Sequence, residues 1–126
     1  MLDVIGTWRL VEVRAIDAEG RPVPSQYGPA PMGVVQFNTD RMMAVLGDSR
    51  PPTPGEGRFY TSYTGPWRFD GAKLVTRVDG CSDPSRMGTD QVRGVRAEGE
   101  HIVLTPPPRT VDGVMQQPEL VWERLA

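Results

Sequence analysis

Proline and glycine cut this chain into windows too short to hold a helical body. Pro22, Pro24, Pro29 and Pro31 fill one stretch, Pro51, Pro52 and Pro54 a second, and Pro106, Pro107 and Pro108 a third. Proline breaks helices and gives no amide hydrogen to a ladder, so regular elements must lie between these clusters. The windows are Ile5–Ile16, Gly33–Phe37, Met42–Leu46, Arg58–Phe69, Leu74–Val78, Thr89–Ala97, Ile102–Thr105 and Leu120–Leu125. Turn residues join several of them: Asp17-Ala18-Glu19-Gly20, Asn38-Thr39-Asp40, Asp70-Gly71 and Glu98-Gly99. None carries a long 3.6-residue apolar stripe with caps. One helical turn is expected near Thr53 to Tyr60. Consecutive short strands with turns between them predict an antiparallel sheet, and closure removes its exposed edges. The expected fold is all-β: a single eight-stranded antiparallel up-and-down barrel with at most one short helix.

At 126 residues the chain is expected to form one domain, spanning 1–126. Its apolar fraction of 38% suits a small barrel with a partly polar lumen. Formal net charge is −2 with both signs interspersed, and no basic stripe is visible. Nucleic acid and anionic membranes are therefore not expected partners. All but one (Lys73) of the 14 basic residues are arginine. Arginine suits buried carboxylate or phosphate sites, and a biased genomic composition would produce the same count. The lone Cys81 leaves no intrachain disulfide to form. Met1-Leu2-Asp3-Val4 leads directly into the first strand window, and no apolar run nears the roughly 18 residues of a membrane span. A cytoplasmic protein is expected; a homodimer stays open.

Gly6-Thr7-Trp8-Arg9-Leu10-Val11 opens the strand windows and Leu120-Val121-Trp122-Glu123-Arg124 closes them. Between them come Gly33 to Met43, Tyr63-Thr64-Gly65-Pro66-Trp67-Arg68-Phe69-Asp70-Gly71, and Met87-Gly88-Thr89-Asp90-Gln91-Val92-Arg93. In this order the segments resemble the bacterial lipocalin-like domain family, small barrels related to lipocalins and fatty-acid-binding proteins. The resemblance implies that Trp8 packs at the closed base, that Arg124 covers it, and that the lumen is a pocket. Members often carry histidines where Thr76-Arg77 stand here, so no proton-transfer role is carried over from them. Ser85-Arg86 is a second departure from the pattern.

Strand alternation nominates the residues that face the lumen. With Trp8 inward, strict alternation also turns Leu10, Glu12 and Arg14 inward. Glu12 and Arg14 would then orient a ligand in a polar upper lumen or shift each other's pKa. A bulge after Leu10 would instead send both into solvent. Phe59, Thr61, Tyr63, Gly65, Trp67 and Phe69 share the clearest inward face. Tyr63 and Trp67, with Phe37 and Met43, are candidate walls, and the aromatics equally suit a filled core. Gln91 and Arg93 share a face and would hold a carboxylate or carbonyl oxygen. The plainer alternative makes Arg93 or Arg124 the cover of Trp8.

Other chemistry finds little support in the sequence. His101 follows Glu98-Gly99-Glu100 and is expected at a hairpin tip. One histidine and one cysteine do not make a zinc site, so no metal is expected. Phosphate-loop, dinucleotide and nucleophile-elbow motifs are missing, and no cofactor is expected. The first functional expectation is binding of a small, largely apolar or amphipathic molecule bearing one or two oxygens. The proposed contacts are Glu12, Arg14, Phe37, Met43, Tyr63, Trp67, Gln91 and Arg93. An alternative is a cofactor-free isomerase, cyclase or hydrolase in the same pocket, with Glu12 as acid or base and Tyr63 or Arg93 stabilising an oxygen. Another alternative is a packed barrel serving as an interaction module.

Overall fold

The computed structural model describes residues 2–126. In chain order the strands are β1 (Gly6–Ile16), β2 (Pro31–Phe37), β3 (Met42–Asp48), β4 (Tyr60–Gly65), β5 (Trp67–Phe69) and β6 (Lys73–Arg77). β7 (Gly80–Cys81), β8 (Asp90–Glu98), β9 (His101–Thr105), β10 (Arg109–Val111) and β11 (Val114–Arg124) follow. Every pairing is antiparallel.

With β4–β5 and β6–β7 each taken as one broken strand, these segments give eight strands along the barrel path and a ninth, β10, that pairs only with β11 and that the sequence reading does not anticipate. Pro66 interrupts one strand and divides it into β4 and β5. Val78 and Asp79 divide another into β6 and β7, yet the backbone ladder persists across both breaks. The Arg77 amide donates to the Pro66 carbonyl at 2.9 Å and the Asp79 amide to the Thr64 carbonyl at 3.0 Å. The pairing path runs β5-β6-β8-β9-β11-β1-β2-β3-β4-β7. Because β5 continues β4 and β7 continues β6, the two ends of that path meet in one hairpin. The sheet returns on itself, as a lipocalin-like barrel does.

Two expectations need correcting. No helical turn forms between Thr53 and Tyr60, where Gly55 (φ +82°) and Gly57 follow the proline cluster and favour a loop. The one 3-10 turn among the described residues is Pro84–Arg86, capped by the Asp83 carboxylate accepting from the Ser85 amide at 3.1 Å. The last strand also begins at Val114 rather than Leu120. Asp112-Gly113, both at positive φ, turns β10 back onto it. That is the same Asp-Gly signal the sequence offers at Asp70-Gly71, here hidden behind three prolines.

The core gathers Trp8, Leu10, Val35, Phe37, Met42 and Trp122, each at most 5% exposed. Gly6 holds φ +134°, and a Cβ there would stand 2.4 Å from the Ala126 carbonyl oxygen. The glycine before the first tryptophan is thus required by the close return of the C-terminus. No helix among the described residues is long and apolar enough to cross a membrane.

Candidate functional site

One end of the barrel is sealed. The Trp8 indole nitrogen donates to the Val4 carbonyl at 2.9 Å, and the Arg124 guanidinium lies 4.2 Å over the indole ring. Arg124 also donates to the carbonyls of Ile5 and Asp3, each at 2.7 Å. Phe37 and Trp67 pack edge to face in this lower half with ring centroids 5.2 Å apart. The Trp67 indole donates to the Asn38 carbonyl at 2.8 Å. Phe37 and Trp67 therefore fill the base rather than line a pocket.

The register locates the other end. Gly6, Phe37, Met42 and Gly65 form one layer across β1 to β4, and Leu46 pairs with Thr61 four residues further along. At about 3.3 Å per residue that is roughly 13 Å up the barrel. There the lumen opens into a cavity of about 210 Å³. Leu46, Phe59, Leu104 and Leu120 give it apolar walls, and Trp122 lies on its lining. The proline-rich loop between β1 and β2 drops Tyr27 across it, and Tyr27 meets Phe59 edge to face at 4.7 Å.

Tyr63 and Arg93 reach this cavity from β4 and β8. Gln91, two residues before Arg93 on the same face, is buried beside it in the barrel interior. Glu12 and Arg14 do not reach the lumen. The β1–β11 register shifts between Leu10 and Glu12, so Val13 and Ala15 turn inward and Glu12 and Arg14 outward. On the outer face Arg14 bonds Glu98 at 2.7 Å and Glu12 at 3.3 Å. Met43 also points out, 54% exposed, because the neighbouring Met42 takes the inward position. His101 opens β9 and Cys81 lies on β7, and neither lines the cavity.

The electrostatics of the cavity are one-sided. Arg9, Arg14, Arg21, Arg41, Arg50, Arg77 and Arg96 each stand within 4.0 Å of a carboxylate. Arg86, Arg93 and Arg109 have no such partner among the described residues, and all three line the cavity. No aspartate, glutamate or histidine among the described residues lines it. Burial pulls the Arg93 guanidinium down from its usual range, with Tyr63 working against that shift. Loss of water pushes the Tyr27 phenol up to about 12 and raises Tyr63 as well. Among the described residues, two buried side-chain polar atoms have no hydrogen-bond partner: the Trp122 indole nitrogen, a donor, and Gln91 Oε1, an acceptor. Buried polar groups are almost always satisfied, so each unpaired one calls for a partner from elsewhere.

Several lining residues carry no periodic signal in the sequence. Tyr27, Arg86 and Arg109 come from a loop, the 3-10 turn and the short β10, and the fold alone brings them together. Trp122 stands out in sequence as part of the closing motif, and only the register places it opposite Leu10 inside the barrel.

The model of the lipocalin-like domain family matches residues 5–125 of the chain. No curated protein and no solved structure matches it.

Proposed function

We propose that this chain, which belongs to the lipocalin-like domain family, binds one compact, largely apolar molecule bearing oxygen in the upper lumen of its barrel. The observation that carries this reading is the cavity itself. Its volume of about 210 Å³ exceeds the roughly 150 Å³ of an engineered cavity that takes benzene. Aromatic and aliphatic walls supply contact area, and the few converging polar groups fix orientation, the usual composition of a ligand pocket. Tyr63 and Arg93 are the polar contacts, with Gln91 behind them. A barrel filled to native density would instead be an interaction module, and an unfilled volume of this size argues against that alternative.

Binding is favoured over turnover because Glu12, the only acid or base nominated for chemistry, projects from the outer face. The polar lining groups are arginines, phenols, an indole, the Thr61 hydroxyl and the Gln26 amide, which hold oxygen better than they move protons near neutral pH. The single Cys81 supports a reducing, cytoplasmic setting. Native mass spectrometry of the purified protein, with a thermal-shift screen of aromatic and alicyclic compounds of about 8 to 15 heavy atoms, tests the reading. Co-purified mass or a saturable rise in Tm is expected. Neither appearing in any class would overturn it.

A further inference from the structure

The polar end of the ligand can be assigned a charge, on the reading that the cavity is a binding site. Arg93 is partly buried, and its single hydrogen bond to a protein acceptor among the described residues runs to the Val92 carbonyl at 2.9 Å. A guanidinium carries five N–H donors, so most of its capacity is unspent. Arg86 sits 5.6 Å over the Tyr63 ring, and Arg109 at the mouth donates to the Gln26 side-chain oxygen. No acid among the described residues lies within salt-bridge distance of these three cations. Arg58, Arg68 and Arg124 also stand without a carboxylate among the described residues, but only Arg86, Arg93 and Arg109 converge on one cavity. An independent observation points the same way. Trp122, only 2% exposed, is a lining residue of the same cavity, and its buried indole N–H lacks an acceptor among the described residues.

We propose that the ligand is an organic carboxylic acid, bound as its carboxylate to Arg93 within the field of Arg86 and Arg109. Its compact ring body lies against Tyr27, Phe59 and Leu104, and a ligand oxygen accepts from the Trp122 indole. The forked guanidinium matches a carboxylate in two-point geometry, and such charge-assisted bonds are the strong ones. A neutral carbonyl would satisfy the indole but leave the partly buried Arg93 guanidinium without a counter-charge.

The test pairs each acid with its neutral isostere. Benzoate, cinnamate and 2-naphthoate are titrated calorimetrically into the wild-type protein beside benzamide, cinnamamide and 2-naphthamide. At least one acid is expected to bind roughly 10- to 100-fold more tightly than its amide, the range of a charged hydrogen bond set against a neutral one. Arg93→Met should erase that ratio, whereas Arg68→Met, an exposed arginine away from the cavity, should leave it unchanged. Amides binding as well as acids would overturn the charge assignment and leave the pocket standing. Failure of all six probes to bind at millimolar concentration would overturn the assignment and the pocket together. The wild-type comparison decides the matter even if Arg93→Met fails to fold.

Discussion

Arg93 and Arg124 are chemically identical and differ only in what the barrel offers them. Arg124 at the base spends its donors on two backbone carbonyls and lays its plane on Trp8. Arg124→Met removes two hydrogen bonds and a cation–π contact, so a loss of about 1–2 kcal/mol in chemical denaturation is expected. No loss would mean that the contact is ornamental. Arg93 is the converse case, because only one hydrogen bond, to the Val92 carbonyl, offsets its burial in the protein alone. Arg93→Met should raise the stability of the ligand-free protein by about 1 kcal/mol while abolishing acid binding. Strand alternation in the sequence finds Tyr63, Gln91 and Arg93, because each sits on an uninterrupted stretch of β4 or β8. Strict alternation misplaces Glu12 and Arg14, because one inserted residue near Val11 reverses every later side chain of β1; the mixed polarity of that face is the sign of the bulge that the sequence does offer. Tyr27 and Arg86 are invisible to alternation, since side chains carried by irregular segments have no period to read.

At the scale of elements, closure depends on the β4–β5 strand running close against the β6–β7 strand. A Cβ at Gly65 would stand 1.9 Å from the Arg77 carbonyl oxygen, a backbone atom with no room to yield. Gly65→Ala is therefore expected to cost about 3 kcal/mol or more, or to prevent folding. A variant of wild-type stability would show that the seam is looser than described. The outer network of β1, β8 and β11 sets a pH dependence. Hydrogen bonds from Arg14 hold the Glu98 carboxyl down from 4.5 to about 2, with Arg96 adding to the effect. A depressed carboxylate stabilises the fold above its unfolded value and loses that contribution on protonation. The contribution is thus whole above pH 4.5 and fades as pH falls toward 2. The wild-type Tm should drop more steeply across that interval than the Tm of Glu98→Gln, and parallel curves would contradict the assignment. Turn chemistry makes most elements legible: Pro and Gly clusters delimit eight strands without structural help. It fails at Asp112-Gly113, where the flanking windows are too short to declare themselves as strands.

At the scale of the whole molecule, a sealed floor beneath an unfilled upper lumen divides the barrel into a part that supports the fold and a part that, in the proposed function, receives a ligand. The closed sheet and its tryptophan floor follow from punctuation and the terminal motifs. The charge of the site does not, because it emerges only when three cations from β8, β10 and the 3-10 turn are seen to converge without an acid. The three indoles report on this division directly. Trp8 and Trp67 already donate to backbone carbonyls at 2.9 and 2.8 Å, whereas Trp122 has no acceptor. The most direct measurement is a ¹H–¹⁵N correlation spectrum of the indole region during titration with 2-naphthoate, each peak assigned from its single Trp→Phe variant. The account predicts that the Trp122 indole proton moves downfield and saturates as its acceptor arrives, with Trp8 and Trp67 nearly still. A Trp122 resonance that never moves, or one that moves no more than the two at the base, would contradict it.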